Sequence, residues 1–402
     1  MPAARGERVL PWSRAVSGSH EAEPETPPRV VRRGLDLARD GWKMIGLTIA
    51  LFFVFELGFR LQRTVRAALR GSPPAPPTAV HPYAGQAWYQ DFEGPEGLQS
   101  REHRYDPYRA FWAMPLSSRF ITIDSMGLRV TPQPAYDPAT ARKVFMLGGS
   151  VMWGYTARDT FTIPALTAHA LAGMGVRDVE IRNLAQRAFN ATQESNTLTL
   201  ELAHGRVPDV AVFLHGFNDM MTAVKYGKPG FTYGQDGVQR FIDLGTRGFW
   251  QELVGLGRHS AVVQRLSETI RPAQDSHPKP GAEILCSDVA GYYRNVTRSI
   301  EALGREYGFT PIFLLQPVHS TTRKKLTAWE RSLPISPFVH RCAAVIDSAM
   351  NDRRGISFFS LTSIFDAETA TVFVDRNAHL TEAANAVVAR RIAEILAPVL
   401  NQ

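Results

Sequence analysis

The apolar run Val144–Leu147 is followed directly by two glycines and Ser150. Four consecutive large apolar residues are typical of a strand that is covered on both faces, as in a parallel sheet. Gly148 and Gly149 then allow a tight turn into a helix. We therefore expect Ser150 at the carboxyl end of a buried strand, the edge of an open α/β sheet at which ligands bind. The alternative is an ordinary strand-to-helix turn in which Ser150 is only the helix N-cap.

Beyond Ser150 the apolar pattern alternates between helical and strand-like periods, which predicts a parallel sheet with crossover helices. Predicted helices span about 161–173, 191–205, 287–307, 337–350 and 381–396, and predicted strands span 179–183, 210–214, 311–315 and 356–359. We expect Pro398 to stop the last helix. With the strand before Ser150, this gives a five-stranded parallel sheet in a domain over residues 141–402. A mostly helical insertion is predicted at about 237–272.

A second apolar run, residues 44–59, contains Glu56 as its only ionisable residue. It is slightly shorter than the roughly 20 residues needed to cross a membrane, but Lys43 and Arg60 at its ends can snorkel. We predict a transmembrane helix over residues 41–62. An apolar helix packed against the soluble domain is the alternative. A cleaved signal peptide fits less well, because the preceding polar stretch is too long and no small-residue cleavage site follows closely.

The segments around this run lack core-forming patterns. Residues 1–40 are predicted to be a disordered cytoplasmic tail, because the first 28 residues mix Pro, Glu, Ser and Arg without periodicity. Residues 63–81 are predicted to form a basic, proline-rich linker. Residues 82–140 predict an extended or β flap, since residues 120–124 alternate between apolar and polar positions.

The positive charges beside the apolar run bear on membrane orientation. Arg29, Arg32, Arg33, Arg39 and Lys43 precede it, and Arg60, Arg63, Arg66 and Arg70 follow it. Basic residues concentrate on the cytoplasmic side of a membrane. The balance slightly favours a single-pass protein of the inner (cell) membrane, with its catalytic domain in the periplasm or otherwise outside the cytoplasm.

Composition narrows the function classes. The chain has 402 residues, 44% of them hydrophobic, and a net charge of +7. Many arginines lie in the first 70 residues and no basic stretch with interleaved aromatics recurs, so we expect no nucleic-acid partner. Cys286 and Cys342 are the only cysteines and match no zinc-site spacing, so we expect no metal and no cofactor. One disulfide is possible, but two buried thiols are expected.

Two stretches that follow predicted strands could stabilise negative charge at Ser150. In the segment 183–188, the backbone N–H of Ala188 could point toward the tip of the first strand; the alternative is a plain loop. In the segment 215–219, the Asn218 carboxamide can donate a hydrogen bond to an oxyanion. The alternative for this second segment is simple turn chemistry.

A third stretch, residues 375–379, lies just before the last helix and ends in His379. A histidine there could accept the proton of Ser150, and a nearby carboxylate such as Asp375 could hold the imidazole in the required tautomer. A lone surface histidine is the alternative.

Together these four blocks resemble the SGNH (GDSL-like) hydrolase superfamily over about residues 143–396, and most closely its membrane-anchored bacterial members. The resemblance implies a three-layer α/β/α, flavodoxin-like fold. It implies that Ser150 is the nucleophile and His379 the general base, with an oxyanion hole of Ser150 N–H, Ala188 N–H and Asn218. It also implies a serine esterase that acts on an acyl group, in particular O-acetyl, of a cell-envelope or exported polysaccharide or a small ester.

Two departures from the family pattern leave alternatives open. Ala188 stands where the family has glycine, which keeps the N–H donor and adds a methyl group. Arg376 stands three residues before His379, where the family places its acid, and Asp375 lies one residue further away. We predict that the loop bulges, so that Asp375 lies within about 2.6–3.2 Å of His379 Nδ1 while Arg376 faces solvent. Asp366, or a Ser–His dyad, is the alternative.

Two other functions are compatible with the same sequence. An O-acyltransferase of this fold would use the same serine chemistry with a sugar hydroxyl as the acceptor. A non-catalytic glycan-binding or assembly protein would explain the displaced acid and Ala188.

Overall fold

The structure is a computed structural model that describes residues 29–69, 79–89, 103–239, 260, 262, 282–353, 355 and 357–401. The chain divides into two units. One comprises residues 1–70 and 253–271, and the other comprises residues 71–252 and 272–402. Most of the predicted helical insertion at 237–272 lies outside the described residues.

The first unit contains a long helix, α1 (Arg29–Leu69). Its segment Leu37–Gln62 has 26 residues, contains an 18-residue stretch with a mean hydropathy of 1.9, and is long and apolar enough to cross a membrane. The predicted disordered tail is wrong over residues 29–40, which are helical. Arginine, leucine and alanine favour a helix there, and Lys43 pairs with Asp40 at 3.1 Å across one turn.

Both carboxylate oxygens of Glu56 accept hydrogen bonds within this unit. Its Oε1 accepts a hydrogen bond from Arg60 Nε at 2.8 Å. Its Oε2 accepts hydrogen bonds from Ser260 Oγ at 2.7 Å and from the backbone N–H of Val262 at 3.0 Å. A carboxylate in an apolar run is costly unless it is paired in this way.

The second unit is built on a five-stranded parallel sheet. Its strands are β5 (Arg142–Gly148), β6 (Val179–Asn183), β7 (Val210–His215), β8 (Thr310–Leu315) and β9 (Phe358–Ser360). All four neighbouring pairs are parallel, which confirms the predicted five-stranded sheet.

Helices cover both faces of this sheet. They are α2 (Ser150–Trp153), α3 (Ile163–Gly173), α4 (Ala191–Ala203), α5 (Phe217–Tyr226), α6 (Ala282–Tyr307), α7 (Ala328–Ser332), α8 (Pro337–Asn351) and α9 (Glu382–Leu400). Val144 and Met146 point into the core beneath α3 and α9, whereas Phe145 and Leu147 point into the core beneath α4, α6 and α8. The alternation along β5 therefore produces the three-layer α/β/α arrangement.

Two predictions about the helical layers are wrong. Helix α9 does not stop at Pro398 but continues to Leu400, because a proline in the last turn removes only one hydrogen bond. Cys286 of α6 and Cys342 of α8 form a disulfide rather than two free thiols, with their Cα atoms 4.8 Å apart. The two helices pack side by side on one face of the sheet, a proximity that sequence spacing does not reveal.

The segment before β5 contains two short antiparallel pairs. β1 (His103–Asp106) pairs with β2 (Ala110–Ala113), and β3 (Leu116–Ser117) pairs with β4 (Thr122–Ile123). Buried Arg129 then fixes the segment that follows α2. Its guanidinium donates to Asp159 Oδ1 at 2.9 Å and to the carbonyls of Gly154 and Ala157, both at 2.6 Å.

Candidate active site

Ser150 opens α2 immediately after β5, at the carboxyl edge of the sheet. The preceding Gly149 is needed because the backbone there runs close to two neighbours. A Cβ atom at position 149 would lie 2.5 Å from Asn218 Nδ2 and 3.1 Å from the Phe189 carbonyl oxygen. The Gly-Gly-Ser turn therefore brings Ser150 beside the amide of Asn218.

A chain of hydrogen bonds links Ser150 to an acid. His379 Nε2 lies 2.8 Å from Ser150 Oγ, and His379 Nδ1 lies 2.6 Å from Asp375 Oδ2. With its proton on Nδ1, the imidazole donates to Asp375 and accepts from the serine hydroxyl. Arg376 is exposed, and Asp366 instead accepts from the backbone N–H of Arg323 at 2.8 Å. The distance from Asp375 to the imidazole is the one expected for a bulged loop.

The bulge is produced by Ala378, whose φ angle of +66° lies in the left-handed region. Strand-like bonds hold the two sides of the loop together: Val374 N–H donates to the His379 carbonyl at 2.8 Å, and Phe373 pairs with Leu380. Inside the loop, Asp375 Oδ1 accepts from the backbone N–H of Asn377 at 2.8 Å. The extra residue is thus absorbed at Ala378, and the carboxylate turns back toward the imidazole.

The conformation of Ala378 can be tested by substitution. Glycine adopts a positive φ angle without strain, so we expect Ala378→Gly to keep turnover within about threefold of wild type. Ala378→Val places a β-branched residue in the left-handed region, where the strain is about 1–3 kcal/mol, and we expect turnover to fall by about tenfold or more. Steady-state hydrolysis of a short acyl ester checks both. Equal activity of the two variants would contradict the role given to the bulge.

Electrostatics keep Asp375 ionised. Burial raises the pKa of Asp375, but the attraction of His379 and the hydrogen bonds from His379 and Asn377 outweigh it, so the pKa lies below its ordinary value. The Tyr155 ring covers the imidazole, with the two ring centroids 4.3 Å apart. The carboxylate can therefore orient the imidazole and stabilise the imidazolium that forms when a serine proton is accepted.

Ala188 lies in the loop after β6, and Asn218 lies in the first turn of α5. These are the two stretches for which the sequence predicts oxyanion donors. Asn218 Nδ2 donates one hydrogen to the Phe189 carbonyl at 2.7 Å, which orients the amide and leaves its second hydrogen for a ligand. Ala188 has a φ angle of +62°, a conformation that glycine favours and alanine tolerates. Asp219 of α5 joins the start of α4 to the turn before α5, because it accepts from Ala191 N–H at 3.0 Å and from Gly216 N–H at 3.2 Å.

The donor role of Asn218 predicts a specific loss. In Asn218→Ala the tetrahedral intermediate loses one hydrogen bond, and such a loss typically lowers turnover by about 100- to 1,000-fold. Turnover of a short acyl ester measures the effect. A folded variant within about threefold of wild type, well short of the loss of an oxyanion donor, would show that Asn218 is only a turn residue.

A buried polar cluster lies beneath the segment 215–219, and the sequence did not predict it. Tyr293 OH forms a hydrogen bond with His215 Nε2, and His215 Nδ1 lies 3.1 Å from Glu194 Oε2 without the angle of a hydrogen bond. Burial lowers the pKa of His215 to about 4, so the ring is neutral at pH 7. The three residues come from β7, α4 and α6, and their separation along the chain concealed the cluster.

Within the described residues, no group of three or more His, Cys, Asp or Glu side chains could hold a metal ion.

Comparisons with known proteins give distant structural likenesses. No protein-family model and no curated protein matches the chain. A lipase/acylhydrolase from Enterococcus faecalis has 12% identity and a TM-score of 0.37, over 64% of this chain and 96% of its own. A member of the lipolytic G-D-S-L family from Veillonella parvula has 12% identity and a TM-score of 0.36, over 63% and 97% of the two chains. The acetyl xylan esterase AlAXEase has 12% identity and a TM-score of 0.35, over 63% and 97%.

At such low similarity the chemistry has to be inferred from the chain's own side chains. The four blocks meet at the carboxyl edge of one parallel sheet, with Ser150, His379 and Asp375 in hydrogen-bond contact. The chain therefore has the three-layer α/β/α fold, with a hydrogen-bonded serine, histidine and aspartate at the carboxyl edge of its sheet.

Proposed function

We propose that this protein is a membrane-tethered serine esterase of the SGNH type. The observation that carries the proposal is the hydrogen-bonded chain from Asp375 through His379 to Ser150, with the Asn218 amide beside the nucleophile's turn. A serine that contacts a histidine, which in turn contacts a carboxylate, is the arrangement that activates a hydroxyl for acyl transfer.

The first half of the reaction forms an acyl-enzyme. Ser150 Oγ attacks the carbonyl carbon of the ester while its proton passes to His379 Nε2, and the carbonyl oxygen becomes an oxyanion. Asp375 stabilises the imidazolium, and Asn218 with the backbone N–H groups of Ser150 and Ala188 stabilises the oxyanion. Collapse of the intermediate breaks the bond to the alcohol, which leaves with the proton from His379.

The second half returns the enzyme to its starting state. His379 accepts a proton from the incoming acceptor, whose oxygen attacks the acyl carbon, and the proton then returns to Ser150 Oγ as the acyl bond breaks. With water as acceptor the product is a carboxylic acid, and with a sugar hydroxyl it is a new ester. Hydrolase and acyltransferase thus differ only in the acceptor, and hydrolysis is the proposal.

Neither of the two features that suggested a non-catalytic glycan-binding protein argues against catalysis. It depended on a displaced acid, yet Asp375 lies 2.6 Å from His379 Nδ1. It also depended on Ala188, but this residue adopts a positive φ angle, as glycine readily does, and keeps its N–H. A protein that only bound glycans would have no need of the proton-transfer chain.

The substrate proposal is an acyl ester, in particular an O-acetyl ester, of a cell-envelope or exported polysaccharide. It follows from the resemblance to membrane-anchored SGNH proteins and from the apolar helix Leu37–Gln62. A panel of O-acetylated sugars tests it, with acetate release measured for each. Release from a small aryl acetate but from no acetylated sugar would leave the esterase in place and reject the glycan.

The proposed location is the cell membrane, with the catalytic domain outside the cytoplasm. The slight excess of basic residues before the apolar run supports this orientation. The disulfide between Cys286 and Cys342 supports it independently, because disulfides persist in oxidising compartments and are rare in the cytosol.

The membrane tether gives a separate prediction. All catalytic blocks lie beyond residue 140, so deletion of residues 1–71 is expected to give a soluble protein that still hydrolyses a short acyl ester. Fractionation of both forms and the specific activity of the soluble form check this. Aggregation or unfolding of the truncated protein would instead indicate that the apolar helix packs on the catalytic domain.

A further inference from the structure

The loop that carries Asp375 and His379 is held from outside by a small buried cluster on and before α7. The cluster consists of Lys324, Thr327, Trp329 and Glu330, and we call it the Glu330 cluster. The side chains of Lys324 and Glu330 have no exposed surface and pair at 2.6 Å. None of these residues touches Ser150 in any contact of the described chain, and the proposed mechanism does not use them.

Glu330 divides its two oxygens between its own helix and the catalytic loop. Oε1 accepts from the backbone N–H groups of Val372 and Phe373, at 2.9 and 3.3 Å. Oε2 accepts from Lys324 Nζ at 2.6 Å, and from Thr327 N–H and Oγ at 2.9 and 3.1 Å. An ordinary capping box needs only the bond to the N-cap N–H. The hydrogen bonds from the loop to Oε1 are therefore additional to those that cap α7.

Trp329 adds a second attachment. Its Nε1–H donates to the Val374 carbonyl at 3.0 Å, on the residue directly before Asp375. Val374 N–H in turn donates to the His379 carbonyl, and Val372 accepts from Thr381 N–H. The segment 372–374 is therefore fixed by the Glu330 cluster on one edge and by residues 379–381 on the other.

The opposite charges of Lys324 and Glu330 balance each other inside the protein. Burial raises the pKa of Glu330, but hydrogen bonds from Lys324, Thr327 and Val372 outweigh it, so the pKa lies below its ordinary value and the carboxylate is ionised. A buried carboxylate is tolerated only when it is paired and hydrogen-bonded. Lys324 supplies the pairing, which leaves Oε1 free to hold the loop.

We propose that Glu330, neutralised by Lys324, is a positioning residue for the acid–base pair of this esterase: by fixing Val372 and Phe373 it sets where Asp375 and His379 stand relative to Ser150. The inference rests on the proposed function and deepens it. Displacements of about 1 Å that originate away from the reacting atoms can cost about 100-fold in rate. Loss of the Glu330 contacts therefore acts on catalysis rather than on substrate binding.

Two double variants isolate the contact from the buried charge. Both carry Lys324→Met, so that no unpaired cation remains; one adds Glu330→Gln and the other Glu330→Leu. Glutamine keeps an acceptor for the loop N–H groups, whereas leucine has a similar volume and no acceptor. We expect the glutamine variant to keep kcat within about tenfold of wild type, and the leucine variant to lose about 100-fold with KM within about threefold.

The rate at which a fluorophosphonate probe labels Ser150 provides a readout that a purely structural role would not move. It should fall in the leucine variant in parallel with kcat, at a temperature where thermal unfolding shows the protein to be folded. Leucine and glutamine variants with equal, near-wild-type kcat would overturn the proposal. So would a loss that appears only in KM.

If the leucine variant does not fold, the Trp329→Phe variant tests whether the Glu330 cluster positions the loop. It removes one hydrogen bond to the loop and retains an aromatic ring, and we expect kcat to fall by about fivefold. Unchanged kcat in a folded Trp329→Phe protein would overturn the positioning role. Failure of the wild-type protein to react with the probe or to hydrolyse any ester would instead reject the proposed function, and this inference with it.

Discussion

Ser150→Ala is expected to abolish ester hydrolysis, lowering kcat by about 10⁴-fold or more while leaving the fold intact. The reason is that no other group at the turn after β5 can form the acyl bond. Alanine is smaller than serine, and the side chain at position 150 is only half-buried, so packing is preserved. Steady-state hydrolysis of an aryl acetate, with circular dichroism as the check on folding, measures the effect.

The matched control is Ser299→Ala. Ser299 is an exposed serine on α6 whose hydroxyl donates to the Asn295 carbonyl of its own helix. Its loss should leave turnover unchanged. Substantial turnover in purified Ser150→Ala, free of wild-type protein, would show that the nucleophile is a different residue.

Asp375→Asn is expected to have the second large effect, a fall in kcat of about 10⁴-fold with little change in stability. An asparagine amide can present its NH₂ group to the imidazole, which then places the ring proton on Nε2. His379 would face Ser150 with a donor and could no longer accept the serine proton. The same ester assay measures this loss.

Asp366→Asn is the control for the acid. Asp366 accepts from Arg323 N–H and lies outside the hydrogen-bond chain of His379, so we expect its substitution to cost less than about tenfold, on the scale of a single hydrogen bond. Similar losses in the two variants would contradict the assignment of Asp375. A wild-type rate in Asp375→Asn would indicate that the site works as a Ser–His dyad.

The sheet and the position of its edge could be predicted because they depend on local patterns. The apolar run Val144–Leu147 requires a strand buried on both faces, and the later strands repeat this signal with helices between them. Parallel strands bring their carboxyl ends to one edge. Residues that follow different strands, such as Ser150 and Asn218, could therefore be placed near each other without knowledge of the distances.

Other features depend on backbone geometry or on contacts between distant segments, and sequence patterns do not encode these directly. The left-handed conformation of Ala378 makes the one-residue displacement of Asp375 harmless, yet alanine carries no signal for a positive φ angle. Glu330 reads as one half of a capping box, and only the fold shows that its other oxygen holds residues 372 and 373.

Three features that differ from the sequence-based predictions have the same physical origin. The Cys286–Cys342 disulfide depends on the packing of α6 beside α8, which spacing along the chain does not determine. The start of α1 at Arg29 and the extension of α9 past Pro398 show that helix ends follow context as well as breakers. Patterns along the chain thus predict the candidate catalytic residues but not the contacts that hold them in place.

Covalent labelling of the wild-type protein by a fluorophosphonate probe, followed by mass spectrometry of its peptides, shows whether Ser150 is an activated nucleophile. The probe reacts with serines that a neighbouring base activates. We predict one phosphonylated peptide modified at Ser150, with labelling abolished in Ser150→Ala and strongly slowed in Asp375→Asn. A folded wild-type protein that remains unlabelled, or that is labelled at another serine, would contradict it.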